Sequence, residues 1–265
     1  MKRLSSRQNP IVRAYRQLAR EPDPTGARLL LDGAHLVREA HEAALSFESV
    51  VVAQSQLDRT SEEAVLAHSL QHSGMDVVSA ADQVFAAISP VRSPSGIVAI
   101  VHRHPTTTDA ILTQARLFAL IVVEVQDPGN LGSLVRVAEA GGATGVIVAG
   151  ESANPFSWKA IRGSMGSVLR LPIARSHSID VVLHEVGETR AKTVAAVPRH
   201  GVDPDGVDWS GRIALLLGGE GTGLSDRIVT ESDERVTIPM KSPVESLNVA
   251  ASAAILIYAA RRGRQ

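Results

Sequence analysis

The chain has 265 residues, 44% hydrophobic and 21% charged, with a formal net charge of −1. That composition excludes intrinsic disorder and leaves room for two domains with sizeable cores. It contains no cysteine, which removes disulfides, thiolate zinc sites and the thiolate nucleophile that methylation at C5 of a pyrimidine generally uses.

Asn9-Pro10 reads as an N-cap followed by proline at the first helical position, so a helix is predicted over Ile11–Arg20. Strands and helices then alternate: strand Leu29–Asp32, helix Ala34–Ala44, strand Ser49–Ala53, helix Glu62–His72, and strands Asp76–Ser79 and Ile97–His102. This pattern predicts a small α/β layer. The polar stretch from Arg103 to Asp109, with a proline and three threonines, reads as a linker. Domains are therefore expected at 1–103 and 110–265, joined by 104–109. The second half carries stronger strands at Leu117–Val125, Gly145–Ala149, Thr193–Val197, Ile213–Leu217 and Arg235–Ile238. Such unbroken apolar runs imply strands covered on both faces, hence a mainly parallel sheet. Helices are predicted near Leu131–Ala140, Trp158–Ser164, Ile179–Glu188, Leu224–Ser232 and Leu247–Arg261. The apolar run from Leu247 to Ala260 is too short to span a bilayer, and the first ten residues lack the core of a secretory signal, so a cytoplasmic protein without membrane partners is expected.

Charge is unevenly spread. Met1 to Arg28 contains Lys2, Arg3, Arg7, Arg13, Arg16, Arg20 and Arg28 against Glu21 and Asp23, and Ser152 to Ile179 contains Lys159, Arg162, Arg170 and Arg175 with no acid. Each run reads either as a solvated helix face or as a phosphate-binding surface. His68 and His72 share a helix face, but solvation accounts for them better than a metal does.

Three segments carry the chemistry. The first is Glu124-Val-Gln-Asp127-Pro-Gly-Asn130-Leu-Gly-Ser-Leu-Val-Arg136, the second Leu217-Gly-Gly-Glu220-Gly-Thr-Gly-Leu224, and the third Ile238-Pro-Met240-Lys-Ser-Pro-Val-Glu-Ser246-Leu247-Asn248-Val249. Each follows a predicted strand, where ligands gather in open α/β sheets. The second departs from the G-x-G-x-x-G fingerprint and is followed by no phosphate-loop lysine, which speaks against a dinucleotide site.

In this order, the three segments resemble the motifs of the SpoU/TrmH family of RNA 2′-O-methyltransferases, within the SPOUT superfamily. Leu4-Ser-Ser-Arg-Gln-Asn-Pro10, Asp32-Gly-Ala-His-Leu-Val37 and Ser93-Pro-Ser-Gly-Ile97 extend the resemblance to the family's N-terminal substrate-binding module, an α/β domain like small ribosomal RNA-binding proteins. The resemblance implies a C-terminal sheet closed by a deep trefoil knot, a homodimer, no metal, and S-adenosylmethionine bound in a bent form among the knot loops. It implies that backbone around Leu217, Gly218 and Gly219, around Ile238 and Met240, and at Leu247 holds the adenosine. It makes Arg136 the central catalytic residue and Asn130 its positioning partner, with Glu220, Ser246 and Asn248 hydrogen-bonding near the reacting centre. A guanidinium is not a base at neutral pH, so Arg136 is better read as a phosphate clamp that also stabilises a developing alkoxide. Relatives usually carry Asn where this chain has Gly219, which removes one side-chain hydrogen bond.

The stretch from Ala153 to Gly166 resembles another family element, with Lys159 and Arg162 as phosphate contacts beside Arg7 and Arg13, and Ser164 assisting the catalytic cluster. Phe156 and Trp158 read either as stacking platforms for splayed bases or as core. Ser246 reads either as a reacting-centre group or as a helix N-cap. Methyl transfer to ribosomal RNA is the expected function. The alternatives are a transfer RNA methyltransferase and a non-catalytic RNA-binding assembly factor. A small-molecule methyltransferase would leave the basic N-terminal module unexplained.

Overall fold

The computed structural model describes residues 1–91 and 93–264. It resolves into two compact units, one of residues 1–104 and 156–170, the other of 105–155 and 171–265.

The first unit is built on β1 (Lys2–Leu4), α1 (Pro10–Arg20), β2 (Arg28–Asp32), α2 (Ala34–Glu42), β3 (Ser46–Ala53), α3 (Gln54–Leu57), α4 (Glu62–His72), β4 (Val77–Ala80), α5 (Asp82–Phe85) and β5 (Ile97–His102). Its sheet runs β1-β4-β3-β5-β2, with β5 antiparallel to both neighbours. Asn9 caps α1 as predicted, its Oδ1 accepting from the Ile11 amide at 2.9 Å. Val12, Tyr15 and Leu18 of α1 join Leu30, Val51, Val78 and Phe85 in one core.

The second unit begins with α6 (Thr108–Leu112), β6 (Phe118–Val123), α7 (Pro128–Gly141) and β7 (Gly145–Ala149). The chain then contributes α8 (Trp158–Gly163) and α9 (Ser167–Arg170) to the first unit. It returns through β8 (Ile173–Ser176), α10 (Ile179–Glu188), β9 (Lys192–Ala196), β10 (Ile213–Gly218), α11 (Asp226–Glu231), β11 (Glu234–Val236) and α12 (Val249–Gly263). Every pairing in the order β11-β9-β10-β6-β7-β8 is parallel. Ile111, Val182, Val186 and Ile228 of α6, α10 and α11 close one core. α7 and α12 pack on each other so tightly that Gly141 leaves no room for a Cβ beneath Ile257.

Several expectations shift. The stretch read as a linker ends inside α6, because Thr107 caps that helix by accepting from the Ala110 amide at 3.2 Å. The strand expected to reach Ile238 stops at Val236. Beyond it the Thr237 hydroxyl substitutes for a ladder partner, accepting from the Gly201 amide and donating to the Val197 carbonyl. Residues 156–170 pack with the first unit, although they lie in the middle of the second in sequence. There the Phe156 ring lies against Gly26, and Arg170 pairs with Glu39.

In the second sheet β6 and β10 are adjacent, yet β6 leads to β7 on one side and β10 leads to β11 on the other. Connections that diverge from neighbouring parallel strands open a crevice at the carboxyl ends, the preferred ligand position in such sheets.

Candidate active site

The three motif loops meet at that crevice. The first leaves β6 and enters α7, where Asp127 caps the helix by accepting from the Asn130 amide at 2.7 Å and Pro128 occupies the first turn. This places the Asn130 side chain between the other two loops. Its Nδ2 donates to Glu220 Oε1 at 2.6 Å, and its Oδ1 accepts from Asn248 Nδ2 at 3.2 Å. Asn248 in turn caps α12, its Oδ1 accepting from the Ala250 and Ala251 amides at 2.9 and 3.4 Å. Each amide thus has its orientation set from both ends, running from the α12 N-terminus to the Glu220 carboxylate. The N-cap is Asn248, which corrects the alternative reading of Ser246 as the cap.

Beside this chain lies a cavity of about 650 Å³, walled by Leu217, Gly218, Gly219, Ile238, Met240 and Leu247, with Glu220, Ser246 and Asn248 at its polar side. All six positions named for the adenosine therefore share one cavity. Its only ionisable lining residues among those described are Glu220 and Asp226. Two glycines set its shape. A Cβ on Gly218 would collide with the Gly223–Leu224 backbone, and one on Gly219 would fall on the Glu124 carbonyl oxygen. In this conformation the space that an Asn at 219 would need is taken by main chain.

Arg136 stands apart. It is exposed on α7, does not line the cavity, and makes no hydrogen bond or ion pair among the described residues. Six residues of α-helix turn through about 600°, so Arg136 sits roughly 120° around the helix from Asn130. The structure brings Asn130, Glu220 and Asn248 together and leaves the Arg136 guanidinium free for an external anion.

The cavity also has walls that the motifs did not indicate. Ala196, Val197 and Pro198 come from the end of β9, and Ser252 and Leu256 from α12. The α12 pair follows Asn248 at four-residue spacing, a signal the sequence does contain. The β9 contribution depends on strand order, which no local pattern encodes.

The remaining candidates lie in the first unit. Arg7 donates to the Gln83 carbonyl at 3.2 Å, and Arg13 is exposed on α1. Lys159 and Arg162 are exposed on α8, the Lys159 ammonium 5.6 Å from the centre of the Trp158 ring. Phe156 is only 3% exposed, with the Arg103 guanidinium 5.1 Å from its ring centre, so it is core and not a platform for bases. Trp158 packs partly against the core beneath α1. Ser164 is fully buried in the first unit, its Oγ donating to the Ile161 carbonyl at 2.7 Å and accepting from the Val168 amide at 3.3 Å. Its hydroxyl is committed to local backbone, which corrects its assignment to the catalytic cluster.

Among the described residues no group of three or more His, Cys, Asp or Glu is placed to hold a metal, and no helix is long and apolar enough to cross a membrane.

Known proteins resemble this chain in sequence and fold. The model of the SpoU rRNA Methylase family matches residues 117–258, and that of the MRM3-like substrate binding domain matches residues 9–99. The chain is 28% identical to the 23S rRNA (guanosine(2553)-2′-O)-methyltransferase RlmP of Bacillus subtilis, over 97% of this chain and 98% of that protein. The crystal structure of an AdoMet-bound rRNA methyltransferase from Sinorhizobium meliloti matches with a TM-score of 0.84 and 28% identity, over 98% of this chain and 97% of that one. The SpoU methyltransferase AviRb from Streptomyces viridochromogenes, in complex with AdoMet, matches with a TM-score of 0.81 and 26% identity, over 96% and 98%. The chain belongs to the SpoU rRNA methylase family.

Proposed function

We propose that this protein methylates a ribose 2′-hydroxyl of ribosomal RNA, using S-adenosylmethionine. The observation that carries this reading is the chain Asn248–Asn130–Glu220 along one side of the cavity at the carboxyl ends of β9 and β10. The cavity fits the donor on its own chemistry. Leu217, Ile238 and Leu247 offer apolar contact for a flat base, Gly218 and Gly219 bring backbone groups within reach, and among the described residues the ionisable groups that line it are both acids, which suits a cation.

When bound, S-adenosylmethionine supplies an electrophilic methyl group on a sulfonium. The reaction forms an O–C bond, breaks an S–C bond to leave a neutral thioether, and passes the hydroxyl proton to a neighbouring group or an RNA phosphate. The work of the chain is to aim the hydroxyl and accommodate growing negative charge on its oxygen, and positioning of this kind is worth effective molarities of roughly 10⁵ M or more. Asn130, held between Glu220 and Asn248, presents a rigid amide to the nucleotide. Arg136 clamps a phosphate and stabilises the developing alkoxide. Ser246 and Asn248 hydrogen-bond near the reacting centre, while Arg7, Arg13, Lys159 and Arg162 contact RNA phosphates. On this reading 1–103 with α8 and α9 is the RNA-binding domain, and the rest is the methyltransferase domain, with its C-terminal segment threaded as a trefoil knot. The protein works as a cytoplasmic homodimer.

The test is transfer of labelled methyl from S-adenosylmethionine to unmodified ribosomal RNA, followed by nucleoside mass spectrometry. A 2′-O-methylated nucleoside is expected. Label on a base, or on transfer RNA alone, would overturn the assignment.

A further inference from the structure

Helix α1 has a one-sided cationic face. Val12, Tyr15 and Leu18 are buried, while Arg13, Arg16 and Arg20 stand exposed at three- and four-residue spacing, and the helix contains no acid. Like charges at this spacing destabilise a helix. Several exposed arginines elsewhere are matched: Arg38 with Glu62, Arg199 with Glu245, Arg227 with Asp180 and Arg262 with Asp205. The three arginines of α1 have no such partner among the described residues.

A second cationic helix comes to the same unit from the middle of the sequence. The 156–170 segment has no acid, and Lys159 and Arg162 are exposed one turn apart on α8. α8 and α1 both pack on β2. Trp158, which opens α8, packs against the core that Val12, Tyr15 and Leu18 share with Leu30 of β2, and the Lys159 ammonium lies over the same indole. The indole therefore anchors α8, with its charges, on the same strand and over the same core as the helix that carries the uncompensated arginines.

We propose that α1 and α8 form one composite surface for the RNA phosphate backbone, with Arg13, Arg16, Arg20, Lys159 and Arg162 as its cations. The proposal rests on the methyltransferase reading above. It goes beyond it by joining two segments about 140 residues apart in sequence into a single footprint and adding Arg16 and Arg20 to it. Arg13 to Arg20 spans about 10 Å of helix, a row that suits a polyanion with regularly repeated charges better than one acidic side chain.

The experiment is RNA binding by the full-length protein between roughly 50 and 200 mM salt, using unmodified ribosomal RNA, with melting temperatures as the check on folding. Three variants are compared with the parent: R13Q/R16Q/R20Q, K159Q/R162Q and the five combined. Removing one phosphate-binding cation should flatten the plot of log affinity against log salt by about 0.7 to 0.9. The triple variant should therefore flatten by about 2 to 3, the double by about 1.5 to 2, and the combined variant by their sum. A folded triple variant with the parent's slope and affinity would overturn the proposal, as would an effect confined to either helix. Methyl transfer by the parent protein is measured in parallel. Its absence would strike the methyltransferase reading, whereas transfer with unchanged slopes would strike only the composite surface.

Discussion

Asn130 Nδ2 donates to Glu220 Oε1 over 2.6 Å, joining the loop after β6 to the loop after β10 across 90 residues of sequence. The contact makes the glutamate an acceptor in a fixed direction, and the second amide bond, from Asn248, keeps Asn130 from flipping. The polar side of the cavity is thus set before any ligand binds, which is the condition under which polar groups contribute most to a transition state.

If Glu220 acts by accepting that hydrogen bond, Glu220→Gln should keep most of the activity, because an amide oxygen can take the same place. Glu220→Ala should lose about 100-fold in kcat, the scale of removing one preorganised polar group. Steady-state methyl transfer separates the cases. Equal losses for Gln and Ala would show that the negative charge is required.

Arg136 makes no contact with the cavity, so Arg136→Ala should leave donor affinity within about 2-fold while lowering turnover by roughly 100-fold or more. Calorimetry with S-adenosylmethionine and single-turnover transfer are the paired measurements. Weakened donor binding with normal turnover would remove Arg136 from the reacting centre.

Gly219 has main chain close to where a side chain would start, since a Cβ there would lie 2.0 Å from the Glu124 carbonyl oxygen. Gly219→Ala should cost about 1 to 3 kcal/mol by overpacking, visible as a fall of several degrees in melting temperature. Donor affinity should fall too, because the same loop walls the cavity. A variant that melts and binds as the parent does would mean that the loop relaxes freely.

The amino-acid sequence speaks clearly about this site where chemistry is local. Asn9 and Asn248 are capping residue types beside helical patterns, and the apolar runs at Phe118–Val123 and Ile213–Gly218 announce buried parallel strands. It speaks poorly where partners are distant. The three-residue β1 takes its structure from β4, far along the chain, and has no periodicity of its own to show. Phe156 and Trp158 sit in a basic segment that invites reading as a base platform, and only the fold reveals Gly26 beneath one ring and the α1 core beneath the other. The threonine run at 106–108 looks like a linker because threonine favours caps and extended chain alike.

Asp32 provides a pH test. Burial raises its carboxyl above the ordinary range, opposed by hydrogen bonds from Ser89 and Ser95 and by the charge of Arg162. A carboxyl whose folded pKa is raised holds its proton more tightly in the native state, so stability from this group falls as pH rises through the folded value. Asp32→Asn cannot ionise, and its amide oxygen can still accept from the Ser89 hydroxyl, which now donates to Oδ2 at 2.9 Å. The melting temperature of the variant relative to the parent should therefore increase between about pH 4 and pH 7. A difference that does not change with pH would show that ionised Asp32 is adequately compensated.

The proposed homodimer makes a prediction on α12. One face of that helix packs on α7, and Ile255 and Tyr258 on the other are each 43% exposed, one turn apart. Ala251, also exposed, extends the stripe by another turn. Large apolar side chains aligned at helical spacing form a surface that a second copy can cover through a twofold axis, each stripe meeting its counterpart. The Arg261 guanidinium, 5.8 Å from the Tyr258 ring centre, borders the stripe with charge, as the rim of an interface usually does. The parent should therefore behave in light scattering as twice the 28.0 kDa chain. Tyr258→Glu would bury an unpaired carboxylate at the centre of the contact, which costs several kcal/mol and should weaken dimerisation by about 100-fold or more. Melting and donor binding, followed on the same sample, separate dissociation from unfolding. A parent protein that is monomeric at micromolar concentration, or a folded variant that remains dimeric, would exclude this face as the interface.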